Sequence, residues 1–122
     1  MKHGTPLNAV RAFADNALEK GRDQWSGKHT PLFTDGLHVE TGKPIGWLCQ
    51  GKKHVVSNLA SQQNFLRTLI GLNRLTGDER YAQAAKEAVA YMLEHYRAPC
   101  GLLYWGGHTF IDWPEDDNGS IT

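Results

Sequence analysis

The chain lacks several of the features that name a function at once. Lysines and arginines number 13 and so do aspartates and glutamates, giving a formal net charge of +0. No basic field exists to draw in nucleic acid, and no acidic tail to repel it. No run approaches the roughly 20 apolar residues of a membrane span. The N-terminal MKHGTPLNAVRAFADNALEK has no uninterrupted apolar core of a secretory signal. The expectation is therefore a cytoplasmic protein, with a periplasmic or secreted location left open and with neither nucleic acid nor membrane as partner. Cysteines number only 2, Cys49 and Cys100, without CxxC or zinc-finger spacing, and a reduced, partly buried pair is expected. A Gly-rich phosphate loop, a GxSxG elbow and an HExxH helix are all absent.

What is present has an ordinary globular balance: 40% hydrophobic and 21% charged residues in 122, enough for one modest core. Three helices are legible. Thr5 and Pro6 form a cap and first turn, and Leu7, Val10, Phe13, Ala14, Ala17 and Leu18 recur at three- and four-residue spacing up to Gly21, read as a left-handed cap. Ser57 reads as the cap of a second helix. Leu59, Gln62 or Gln63, Leu66, Leu69, Ile70 and Leu75 mark its buried side, Phe65 lies beside them, and Gly77 ends it. Asp78 caps a third helix with a stripe of Tyr81, Ala84, Ala85, Ala88, Tyr91 and Met92, running out at His95 or Tyr96. So short a turn between two helices makes them an antiparallel hairpin, and the alanines let the axes approach closely.

Between Arg22 and Val56 the periodicity disappears into turn formers such as Asp35-Gly36 and Thr41-Gly42. Leu32-Phe33 and Leu37-His38-Val39 are candidate short strands there. Trp25, Phe33 and Trp47 argue that this long connection packs across the end of the helical layer. The tail EDDNGSIT is polar and reads as the start of a loop. Three helices and no closing element lead to the expectation that residues 1–122 are a single N-terminal piece of a larger domain.

The densest cluster of chemistry-bearing residues is GLLYWGGHTFID, Gly101 to Asp112. Two glycines allow close backbone approach, Tyr104 and Trp105 offer flat faces for sugar rings, and His108 is a candidate metal ligand. Neighbours on an extended segment face opposite sides, so one of the aromatic pair packs inward; Trp105 is taken as the exposed one. Asp112 could orient His108 or simply cap a strand end. Asn58 and Gln62 are placed one turn apart at the start of the second helix, where free N–H groups attract anions. Lys53, with Lys52 and His54, adds positive charge to the same rim or is solvated. Asp35, His38, Glu40 and Lys43 show no recognisable metal-ligand spacing. Glu115, Asp116 and Asp117 in the tail keep a paired-carboxylate glycosidase open.

The phrase GLNRLTGDERYAQAAKEAVAYMLEHY resembles the hairpins of (α/α)-barrel carbohydrate-active enzymes, in which an inner helix ends in a TGD-type turn. GLLYWGGHTFID, taken with SNLASQQNFLRTLIGLNRLTGDERY, resembles the N-terminal part of the pectate lyases of polysaccharide lyase family 2. The resemblance covers roughly the last half of the chain. It implies an all-α fold, a fragment of an (α/α) barrel of helical hairpins with a long irregular or short-strand loop. It implies β-elimination on polygalacturonate or another acidic polysaccharide or oligogalacturonide, assisted by a divalent metal ion such as manganese or calcium. His108 is the position matched to a metal-ligand histidine. The partner ligands and the arginine base of such enzymes are expected beyond Thr122, so residues 1–122 alone are not expected to be a competent catalyst. Tyr104, Trp105, Asn58, Gln62 and Lys53 are the residues expected to meet the sugar. Two alternatives stand beside this reading: an (α/α)-barrel glycoside hydrolase or sugar epimerase, and a non-catalytic helical-repeat module that binds a protein.

Overall fold

The computed structural model describes residues 5–24, 29–49, 51–102, 111–113 and 120–121, the side chains of 47, 49, 52 and everything from 111 onward excepted. Helix α1 spans Pro6–Lys20, α2 Gln63–Thr76 and α3 Glu79–His95. Short strands β1 (Trp47–Cys49), β2 (Lys52–Ser57), β3 (Ile111–Trp113) and β4 (Ser120–Ile121) form an antiparallel sheet in the order β1-β2-β3-β4. The described part is therefore mostly helical rather than all-α. None of its helices is long and apolar enough to cross a membrane.

The helical hairpin behaves as its sequence dictates. Gly77 takes φ 75° and returns its N–H to Asn73 O at 2.8 Å, closing α2 with a left-handed residue. The Asp78 carboxylate accepts from Arg80 N at 3.1 Å and opens α3. Tyr81, Ala84, Ala85, Ala88 and Met92 are all buried, and they meet Leu69 and Leu72 of α2 in one core cluster. Leu75, expected on that face, is 74% exposed. Two successive three-residue steps rotate it about 120° from Leu69, so Leu72 takes the buried place instead.

Helix α1 is capped as expected, Thr5 Oγ1 accepting from Asn8 N at 3.1 Å. Its stripe is only half covered. Ala14 is fully buried and Leu18 packs on the core, while Phe13 is 58% exposed. The Tyr81 hydroxyl donates to Asp15 and ties α1 to the hairpin. Gly21 is not left-handed: it sits at φ −91°, ψ −13°. Its glycine serves space, since a Cβ there would stand 2.7 Å from Ala17 O. Its carbonyl then accepts from Thr34 N, which turns the chain into an Arg22–Phe33 bridge.

The long connection packs over the helices, with Leu32 and Phe33 buried and the Phe33 ring edge-on to Phe65 at 5.0 Å. The two expected strands there reduce to single bridges, Arg22–Phe33 and Leu37–Pro44. Turn formers interrupt each ladder before a second pair can form. The continuous strands lie later, β1 and β2 turning about Gly51 at φ 79°. Ser57, read as a helix cap, is instead the last residue of β2 and pairs with Ile111. Long-range pairing of Val55, Val56 and Ser57 with β3 overrides the local capping signal. A turn follows, in which Asn58 Oδ1 accepts from Ala60 N at 3.0 Å, and α2 starts only at Gln63. Cys100 is free and exposed, against the expected partial burial.

Gly71 inside α2 and Gly77 at its C-terminal cap make opposite predictions for urea unfolding of the intact chain. Gly71→Ala meets nothing within 4 Å inside a regular helix and should stabilise by about 0.5–1 kcal/mol. Gly77→Ala forces a Cβ into the left-handed region and should destabilise by about 1 kcal/mol. Shifts of the same sign would refute this assignment of the α2 end.

Candidate functional site

A cavity of about 420 Å³ opens between α1, the long loop and the start of α2. Phe13, Phe33 and Phe65 give it aromatic walls, while Asn16, Asp35, His38 and Gln62 supply its polar groups. Such a mix, mostly apolar with a few convergent polar atoms, is typical of small-molecule sites.

Asp35 organises the polar side. Its Oδ1 accepts from Asn58 N at 2.8 Å and from Gln62 Nε2 at 2.6 Å, and its own N–H donates to Val56 O at 3.0 Å. Gln62 Nε2 also faces Phe33 O at 2.9 Å and Ser57 Oγ at 3.3 Å. Acceptors surround that nitrogen, which fixes the orientation of the amide and leaves Gln62 Oε1 buried without a partner among the described residues. Partial burial raises the Asp35 pKa above its ordinary value; bonds from Asn58, Gln62 and Ser61 oppose the rise without cancelling it. The site thus holds a carboxyl group whose neutral form is favoured over that of a solvated aspartate.

The sequence-derived candidates divide into three groups. Asn58 and Gln62 do come together, 6% and 7% exposed, around Asp35. They do so through a turn before α2 rather than on its first helical turn, and the Gln62 amide is engaged inside the fold. Lys53 stands apart on β2 with an exposed side chain. Tyr104, Trp105 and His108 lie outside the described residues, as do the side chains of Lys52, Asp112 and Trp113 and the whole of Glu115, Asp116 and Asp117. Of the loop residues, Asp35 and His38 border the cavity together, while Glu40 turns back to give its N–H to His38 Nδ1. No group of three His, Cys, Asp or Glu side chains able to hold a metal occurs among the described residues. The role of Asp35 was not legible, because Asp-Gly is fully explained by a turn until its distant partners are known.

A second, more open depression of about 620 Å³ runs along α3. Arg22 and Glu87 pair at 2.8 Å on its wall, beside His29 and Tyr91. Both ion-pair partners are substantially exposed, so the pair is worth little in stability.

Residues 30–120, which include the cavity loop, β1, β2, the helical hairpin and the Tyr104–His108 segment, match the family model described as periplasmic pectate lyase. The chain belongs to this family. Over 108 residues it is 41% identical to a pectate disaccharide-lyase of Dickeya dadantii (strain 3937). The aligned stretch takes in 87% of the chain and 20% of the relative, so the chain spans about a fifth of that protein's length. These matches favour neither the hydrolase or epimerase nor the repeat-module alternative. The periplasmic description of this pectate lyase family lends no support to the expected cytoplasmic location.

The raised Asp35 pKa has a definite sign. The folded state holds that proton more tightly than the unfolded state, so the stability it contributes is complete below the unfolded value of about 3.8. It is lost as pH rises through the higher folded value. Asp35→Asn keeps an acceptor and should raise the urea midpoint at neutral pH, the gain vanishing in acid. Asp35→Ala removes the Oδ1 acceptor shared by Asn58 N and Gln62 Nε2 and should cost about 1–3 kcal/mol. A pH-independent difference between wild type and Asp35→Asn would contradict this account.

Proposed function

We propose that the chain is part of a pectate lyase that cleaves polygalacturonate, or a related acidic polysaccharide or oligogalacturonide, by β-elimination. The family match over residues 30–120 carries the reading, because it takes in the aromatic-glycine-histidine segment together with the hairpin and the cavity loop. The 41% identical relative, a pectate disaccharide-lyase, supports it. In the reaction a base removes the C5 proton of a uronate, which lies α to the carboxylate. The electron pair forms the C4–C5 double bond, and the glycosidic oxygen leaves from C4 and takes up a proton.

The chain's share of this work, in our reading, is binding and orientation. Trp105 and Tyr104 offer stacking faces for sugar rings. Lys53 presents an exposed positive charge suited to a uronate carboxylate. Asn58 and Gln62 contribute from behind, holding the β2–α2 connection to Asp35 through the bonds described above. A divalent metal ion, manganese or calcium, is the cofactor of this proposal, and it would neutralise charge on the uronate carboxylate. The described residues supply no group of three ligands, so they do not themselves form its site. His108 is the one ligand we assign from this chain, and the base and remaining ligands are assigned to other residues. The antiparallel, alanine-lined α2–α3 pair supports an (α/α) barrel of helical hairpins as the complete architecture.

The test uses the full-length protein with polygalacturonate, following the ultraviolet absorbance of the unsaturated uronate product. Wild type should generate this chromophore and lose activity in chelator. His108→Ala should slow it by at least about 100-fold, the upper end of what removing a supporting partner of a metal ligand costs. New reducing ends without the chromophore would identify a hydrolase instead. No product with any added divalent metal would end the lyase reading.

A further inference from the structure

We infer that Gly46 is a positioning residue for Lys53, and that the pair sets the reach of a lysine ammonium towards the carboxylates of an acidic polysaccharide. The inference rests on the pectate-lyase reading and deepens it.

In the β1–β2 hairpin Leu48 pairs with Lys53, and directly opposed residues project from the same side of a sheet. Gly46, two residues before Leu48, shares that side. The Lys53 stem crosses it. A Cβ built on Gly46 would stand 2.7 Å from Lys53 Cδ and closer still to Cγ and Cε. Three successive methylenes occupy the place of a side chain, so no shift of the flexible tip alone would make room. The backbone does not require glycine at this position. Gly42, Gly51, Gly77 and Gly101 have positive φ among the described glycines, and Gly46 does not. What glycine provides at 46 is the bed for the lysine stem.

The charged end is left available. Among the described residues no hydrogen bond or ion pair holds the Lys53 ammonium, whereas Arg22 and Arg80 are paired with carboxylates. The stem is laid down and the ammonium is uncommitted, which is how a lysine is made ready for an external anion. Ordering the stem beforehand lowers what binding must spend on immobilising it. A repeated uronate carboxylate is the anion that the family's substrate class presents.

A double-mutant cycle in the full-length protein tests this, reading KM and kcat on polygalacturonate and binding of the methyl-esterified, uncharged polymer. Lys53→Ala should raise KM about two- to fivefold at low salt, with kcat nearly unchanged and the effect fading in high salt. Gly46→Ala should do the same while leaving the lysine present. The double variant should be no worse than Lys53→Ala, since both remove one interaction. Lys53→Met, which keeps the stem without its charge, should match Lys53→Ala even if Gly46→Ala fails to fold. Additive losses, an equal loss on the esterified polymer, or an unchanged KM in Lys53→Met would overturn the inference while leaving the lyase reading intact. Wild type that does not bind polygalacturonate would overturn both.

Discussion

Asp35 accepts from Asn58 N and from Gln62 Nε2 while its own N–H donates to Val56 O. One loop residue is thereby bonded to the end of β2, to the turn after it and to the residue that precedes α2. These are the three pieces that a long, non-periodic connection would otherwise leave free to drift. The two bonds to the carboxylate oxygen are short, 2.8 and 2.6 Å, and an ionised acceptor strengthens both relative to a neutral one. Gln62 extends the tie to Phe33 O and Ser57 Oγ. The cavity beside α1 exists because this knot holds the loop and α2 at a fixed separation.

The helical layer supports the knot from below. Phe33 of the loop, Phe65 of α2 and Phe13 of α1 meet edge to face, an arrangement that suits their ring quadrupoles. Tyr81 is wholly buried with its hydroxyl on Asp15, and Arg80 reaches the same carboxylate at 3.4 Å, so α3 is tied to α1 at one acidic side chain. Apolar packing gives the layer its cohesion, and the polar ties give it a unique arrangement. At the far side of the molecule the sheet joins the connection to the segment after the hairpin, β2 pairing with β3 from Val55 to Ser57. The matched family residues, 30–120, run through the loop, the helical hairpin and the sheet.

Much of this was legible locally. The α3 stripe of Tyr81, Ala84, Ala85, Ala88 and Met92 reads directly from its spacing, and Thr5-Pro6, Gly77 and Asp78 mark helix ends by their own chemistry. The candidate site was legible only in part. Asn58 and Gln62 attract notice as polar residues near a helix start, yet that helix begins later than the cap signal at Ser57 implies. Leu32-Phe33 is a genuine core element that looks like a strand and makes only one bridge.

The sequence by itself determined three helices, the antiparallel hairpin and the family resemblance, since capping, turn chemistry and periodicity act over a few residues. Tertiary structure decided what depends on distant partners: which β-branched run became a strand, why Gly21 is a glycine, and that Asp35 is a hub rather than a turn residue. It also decided that Gly46 makes room for Lys53. A stem crossing a neighbouring strand is a contact between residues that only strand register brings together, and register is set by the whole sheet.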